Sequence, residues 1–441
     1  MIAVVTSLID RIRRSELAMR IAAGGFWIMT GAVVGKTIGL VTSVILARFL
    51  GKEKLGEYGM VYSTIGMFQT FAGFGLGVTA TRYVAQFRKE QPERAAGVMR
   101  LSLNASVVTG AFFAILLFAL APMIAAKTLA APHLTGLVRI SSVVLFLVAL
   151  DGAQTGILAG LESFRAVAFI NIVYGVLNLI VMVCGAMAAG LLGAVVALCV
   201  SQLIKFALNR VVLLKEARRC GLTGSACRTG ELLPILWAFS VPALLSGLLV
   251  DPVGWASNAI LVNQPDGYSE MGILGATSSW YAAITFVPSS LTALALPVLS
   301  DLLGRGRTDQ FSKVLKLKVL LFGLLALAAA IPIALLSKPI MGLYGEAFVS
   351  GSHVLEMTAV AAVMVAILAP LSSAISSAGK MWFGLFMNLI WAAAYLGMSF
   401  WWIPEWGALG QVAARSAAYA LLIAILGVMA WRTPLKDMVE A

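Results

Sequence analysis

The chain alternates between long apolar runs and short polar breaks. A hydrocarbon core about 30 Å thick calls for roughly twenty apolar residues per helix, and runs of that length predict twelve spans. They cover 24–48, 58–80, 99–121, 138–160, 166–188 and 191–214, then 234–262, 271–298, 317–337, 354–377, 381–402 and 407–431. The seventh is the least regular, because Pro242, Asp251 and Pro252 interrupt it. Almost no polar stretch exceeds about thirty residues, too little for a separate soluble domain.

The two sets of six spans resemble each other. Around the fifth and sixth spans the chain reads GLESFRAVAFINIVYGVLNLIVMV and GLLGAVVALCVSQ; around the eleventh and twelfth it reads AGKMWFGLFMNLIWAAAYLGMSF and EWGALGQVAARSA. Asn171 then matches Asn388 and Gly193 matches Gly410, at an offset of 217. The first and seventh spans match at 215, pairing Gly39 with Gly254, Thr42 with Ser257 and Ile45-Leu46 with Ile260-Leu261. Six is an even number, so both halves share one orientation and an axis along the membrane normal, with a path between them near the midplane. The predicted organisation is an amphipathic surface segment (1–20), a six-helix bundle (21–215), a linker (216–232), a second bundle (233–432) and a tail (433–441).

Composition agrees with the pattern. Of 441 residues 60% are apolar and 12% charged, and mean hydropathy is +0.95, against about half and a quarter in soluble domains. The net charge of +12 would suggest nucleic acid in a soluble protein, but here Lys and Arg concentrate in alternate loops, and no nucleic-acid partner is expected. That asymmetry puts both termini, the linker and the tail in the cytoplasm. The basic cluster Arg11, Arg13, Arg14 and Arg20 follows the apolar run Met1–Ile9, the reverse of a cleavable signal, so this segment reads as a helix lying on the membrane surface.

Charges inside spans cost about 2.5–3.5 kcal/mol on insertion scales, so each needs a reason. Lys36, in VVGKTIG, and Asp251, in LLVDPVG, occupy matched positions at offset 215. They read either as the lining of a water-filled cavity, Lys36 gripping an anionic group and Asp251 pairing with it or titrating, or as a buried structural pair. Pro252 and Gly254 mark a hinge or a packing kink. Asp151 could relay a proton or pair with a basic residue. Arg415, in QVAARSAAYA, could bind substrate or be held by its polar neighbours Gln411 and Ser416. Arg48 and Arg82 complete the candidate cationic set, although their places near helix ends suit interfacial anchors better.

Other patterns carry less. GFGLG at 73–77 lies within a span and suits close helix packing better than a nucleotide loop. Trp401, Trp402 and Trp406 suit an interfacial belt. Cys184, Cys199, Cys220 and Cys227 with two His make no metal-ligand set; His133 and His353 have no paired nucleophile, and no Walker motif is present. No cofactor and no enzymatic activity are expected.

The first two spans resemble the opening of bacterial polysaccharide-biosynthesis membrane proteins, the O-antigen-type flippases of the multidrug/oligosaccharidyl-lipid/polysaccharide exporter superfamily. The likeness rests on Ala47-Arg48-Phe49-Leu50-Gly51, Gly56-Glu57-Tyr58-Gly59, Phe74-Gly75-Leu76 and Arg82-Tyr83, while Gly73 replaces the family's usual acidic residue. The resemblance implies an all-α, V-shaped alternating-access transporter in the bacterial inner membrane, two bundles of six helices around a central cavity. Its substrate would be a polyprenyl-pyrophosphate-linked oligosaccharide, moved from the inner to the outer leaflet. A proton or sodium gradient would drive it, among membrane lipids and beside polysaccharide polymerase or export machinery. The alternatives are a cation-coupled multidrug exporter, a glycan ligase or polymerase, and a non-transporting envelope-synthesis protein.

Overall fold

The computed structural model describes residues 16–222, 249–304, 307–377 and 381–432. The N-lobe consists of α1 (Glu16–Gly73), α2 (Leu76–Phe87), α3 (Pro92–Met123), α4 (Thr135–Gly160) and α5 (Phe164–Arg219). The C-lobe consists of α6 (Val250–Val262), α7 (Gly267–Gly304), α8 (Thr308–Leu335), the short α9 (Ser337–Tyr344), α10 (Ser352–Ser377) and α11 (Met381–Arg432).

Three elements are too long for one crossing. The apolar stretches Met29–Gly73, Phe164–Arg219 and Trp382–Met429 run 45, 56 and 48 residues, about 68–84 Å at 1.5 Å per residue, more than twice the hydrocarbon thickness. Glycine folds each into a hairpin, since it alone adopts such backbone angles without steric cost: Gly51 (φ 72, ψ 177), Gly190 (φ 55, ψ −129) and Gly407 (φ 55, ψ −131). A methyl at Gly193 would fall 1.8 Å from the Gly185 carbonyl oxygen, and one at Gly410 would fall 2.2 Å from that of Trp402, so the chain doubles back on itself at both turns. With each hairpin counted as two, the lobes hold six spans apiece, as the apolar runs predict. Residues 234–248 of the seventh span lie outside the described residues.

The internal repeat is visible in backbone angles. Gly190 and Gly407, 217 positions apart, share nearly the same φ and ψ, at the offset that aligns Gly193 with Gly410. The first two spans cross their counterparts just as symmetrically. A methyl on Gly56 would lie 1.8 Å from the Tyr268 carbonyl oxygen, and one on Gly272 would lie 2.0 Å from that of Lys52; Gly56 and Gly272, like Lys52 and Tyr268, are 216 apart.

Details depart from the sequence reading. The second span breaks at Phe74 (φ 44) and Gly75 (φ 63), because the glycine-rich stretch cannot hold a helix and also serves packing: a methyl at Gly77 would meet the Gly152 carbonyl at 2.8 Å. Helix α1 begins at Glu16, inside the segment read as a separate arm, and α5 continues to Arg219, into the segment read as a linker. Large apolar side chains such as Phe112, Ile115, Leu320, Leu335 and Trp401 are exposed on the outside, the inverse of a soluble domain and the arrangement lipid favours.

Candidate functional site

The turns at Gly51, Gly190 and Gly407 and the connections after α3, α6 and α9 lie at one end of the molecule, the hairpin end; Arg88, Lys89, Arg94, Arg165 and Arg219 lie at the other, the basic end. The lobes join toward the hairpin end. Arg48 Nε donates to the Leu343 carbonyl at 2.7 Å, Asn263 Nδ2 to that of Thr128 at 2.7 Å, and the Tyr268 hydroxyl to that of Leu129 at 2.8 Å. The seam continues inward as Asn258 Nδ2 donates to Ser63 Oγ at 2.8 Å and Trp255 Nε1 to Thr64 Oγ1 at 3.1 Å. It reaches Thr70 Oγ1, which donates to Asp251 Oδ2 at 2.6 Å. The last three bonds tie the second span of α1 to α6, its antiparallel neighbour across the lobe boundary.

Between the lobes lies a cavity of about 1100 Å³. Its lining repeats with the sequence: Lys36, Gly39, Leu40 and Ser43 face it from the first span, and Asp251, Gly254, Trp255 and Asn258, each 215 positions later, face it from the seventh. Steps of three and four residues place each set on one helical face. Tyr58, Tyr62, Tyr174, Trp391 and Tyr395 supply aromatic wall, and Asn171, Asn178 and Gln411 supply amides.

Among the described residues the charged lining is three cations and one carboxylate: Lys36, Lys205, Arg415 and Asp251. Lys36 is exposed in the cavity and makes no hydrogen bond or ion pair with another described residue. The Arg415 guanidinium lies over the Tyr281 ring, 4.8 Å from its centroid; its Nε is buried without a hydrogen-bond partner, and no carboxylate pairs with it among the described residues. Lys205 donates to Asp151 Oδ2 at 2.6 Å and sits 5.2 Å from the Tyr174 ring centroid. Asn209 Nδ2 donates to the other Asp151 oxygen at 2.5 Å.

The structure therefore brings Lys36, Arg415 and Asp251 to one cavity but does not pair Lys36 with Asp251. Asp151 is buried behind the wall, held by Lys205 and Asn209. Arg48 and Arg82 lie outside the cavity, Arg48 in the hairpin-end seam and Arg82 beside Tyr83, 5.6 Å from its ring centroid. Pro252 occupies the first turn of α6, whose cap residue Leu249 has helical backbone angles (φ −88, ψ −27); Gly254 lines the cavity with open space around its Cα. Lys205 is the functional candidate that the reading of the sequence missed. Its signal was available: it stands inside the apolar run 191–214 and needs a buried carboxylate partner.

A family model described as "Polysaccharide biosynthesis protein" matches residues 21–303. The chain belongs to that family. It is similar to the EPS I polysaccharide export inner membrane protein EpsE of Ralstonia nicotianae, 26% identical over 404 residues covering 89% of each chain. A shorter match, 26% over 164 residues (36% of this chain, 32% of the other), links it to stage V sporulation protein B of Bacillus subtilis. Among solved structures its fold is similar to an inward-facing multidrug resistance MATE family transporter of the MOP superfamily (TM-score 0.76, 14% identity, 94% and 99% covered). It is likewise similar to the lipid II flippase MurJ in an inward closed conformation (TM-score 0.73, 14% identity, 93% and 88% covered). The chain is thus a multi-pass membrane protein with the two-lobed, twelve-helix architecture of the MOP superfamily.

Proposed function

We propose that this protein is a flippase of a bacterial inner membrane that carries a polyprenyl-pyrophosphate-linked oligosaccharide, an O-antigen or exopolysaccharide repeat unit, from the cytoplasmic to the outer leaflet by alternating access. The observation that carries the reading is the pair of cations, Lys36 and Arg415, that face one cavity from opposite lobes with no carboxylate bound to either among the described residues. Arg415, with its Nε buried and unpartnered, is costly without a counter-charge, Lys36 stands open to the cavity, and an anionic cargo supplies the missing charge to both. At 1.5 Å per residue, Lys36 and Lys205, each fifteen residues from its turn glycine, lie about 22 Å from the hairpin end, and Arg415, eight residues past Gly407, about 12 Å. That spacing suits a diphosphate held by the lysines toward the basic end, with the glycan reaching up to Arg415 among aromatic and amide side chains.

In this reading the basic end and both termini are cytoplasmic, the hairpin-end seam closes the outer side, and Asp251, the cavity's carboxylate, takes the coupling proton or sodium ion. Residues 216–232 link the bundles, Pro252 and Gly254 act as the hinge of the seventh span, and polysaccharide polymerase or export machinery receives the product. The names of the relatives support polysaccharide export. Three lining cations to one carboxylate weigh against a cationic drug as cargo.

Export complementation in a strain lacking its own flippase tests the reading. Lys36→Ala and Arg415→Ala, each inserted at normal levels, are expected to cut surface glycan at least tenfold. Normal export by both would overturn it.

A further inference from the structure

A second cleft lies away from the central cavity, on the C-lobe at the hairpin end. It encloses about 900 Å³ where α8 passes into α9 and against the start of α10. Its polar side is a cluster the transport path does not use. Glu356 accepts from Ser337 Oγ at 2.7 Å and pairs with exposed His353 Nδ1 at 3.1 Å. Lys338 lines the same cleft and is near enough to Glu356 to act on it electrostatically, yet no ion pair joins the two. The rest of the lining is apolar, Leu335 and Val360 among it, and both are exposed to the outside.

Three features identify the ligand class. The cleft sits where spans end, so its polar side is at headgroup level and its apolar wall runs along α8 and α10 into the hydrocarbon. A soluble ligand would gain nothing from that wall, whereas an acyl chain would cover it. The polar side holds a cation and a carboxylate that no ion pair joins, with His353 against the carboxylate. A headgroup carrying both a phosphate and an ammonium matches that pair; one carrying phosphate alone would face Glu356 unfavourably, and a quaternary ammonium offers no N–H donor to the carboxylate.

We infer that this cleft binds an aminophospholipid, phosphatidylethanolamine in chemical class, with its phosphate on Lys338, its ammonium on Glu356 and an acyl chain along Leu335 and Val360. The site is separate from the central cavity, so it stands or falls independently of the cargo.

Native mass spectrometry of the full-length protein, delipidated in detergent and then given phosphatidylethanolamine, phosphatidylglycerol or phosphatidylcholine at equal mole fraction, tests it. The wild type is expected to retain phosphatidylethanolamine at least fivefold over the other two. Lys338→Ala should erase that preference, and Val360→Trp, which fills the cleft without touching its charges, should lower retention as much. Because Lys338 is a peripheral side chain and Val360 faces outward, both variants are expected to fold, which a monodisperse elution profile verifies. Equal retention of the three lipids, a preference for phosphatidylglycerol, or unchanged retention in whichever variant elutes as a folded protein would overturn the assignment.

Discussion

Thr70 on the second span of the N-lobe donates a 2.6 Å hydrogen bond to Asp251 at the start of α6 in the C-lobe. This innermost described link of the seam between the lobes is also the one that uses a cavity carboxylate. The bond and the charge can be separated. Asp251→Asn keeps an oxygen acceptor for Thr70 and loses the charge; Thr70→Val keeps the charge and loses the bond. If Asp251 takes the coupling cation, Asp251→Asn is expected to reduce glycan export about tenfold while Thr70→Val stays within threefold of wild type, measured as surface polysaccharide in the complementation strain. The opposite order would make the residue a latch and nothing more.

Lys36 and Arg415 should tolerate different replacements. Lys36 is an unencumbered ammonium in open space, so Lys36→Arg should retain most export and Lys36→Gln should lose it. Arg415 is a planar cation stacked on Tyr281, and lysine reproduces neither the stacking nor the forked donors. Arg415→Lys is therefore expected to fall at least fivefold in the same assay with membrane levels unchanged.

Asp151 and Lys205 form a buried pair whose removal acts on stability. Asp151→Asn leaves the Lys205 ammonium without its carboxylate, a loss of about 3 kcal/mol for a buried pair, and should lower the melting temperature seen by size exclusion after heating. The double variant Asp151→Asn/Lys205→Met removes both charges and should recover most of that loss. Export by the double variant then reads the contribution of Lys205 to cargo binding alone.

Gly190 and Gly407 make a matched pair of turns with unmatched surroundings. A methyl at Gly190 has nothing within 4 Å, while one at Gly407 would lie 2.8 Å from Glu270 Oε2, the oxygen that accepts from the Ala408 amide at 3.0 Å. Gly190→Ala therefore carries only the backbone cost, about 1–3 kcal/mol at such angles, and Gly407→Ala adds a collision and a displaced carboxylate. Both should melt earlier than wild type in the same heating assay, Gly407→Ala by the larger margin.

Much of this architecture is written in side-chain type and spacing. Twelve apolar runs gave twelve spans because hydrocarbon thickness sets helix length, and the offset of 217 between Gly193 and Gly410 became two hairpins of one geometry. Lys36 and Asp251 stood out because a charge in an apolar run has few places to go. Lys205 did not, since a cation near other cations reads as loop, and only the three-dimensional approach of Asp151 reveals its depth. Arg48 and Arg82 were drawn into the candidate set by charge alone, but helix ends let them reach backbone carbonyls and ring faces outside the cavity. The aromatic wall was illegible for another reason: tyrosine and tryptophan look the same in sequence whether they face a bundle core, lipid or a cavity.

Gly56 and Gly272 cross with main chain against main chain. Such a joint has no side chain to protonate, no ion to bind and no rotamer to lock. It is chemically mute: pH, salt and membrane voltage act on it only through the rest of the molecule. If the lobes rock about this point, as the proposed alternating access requires, the signal must enter through the groups that carry charge, and pivot and trigger would then be different residues.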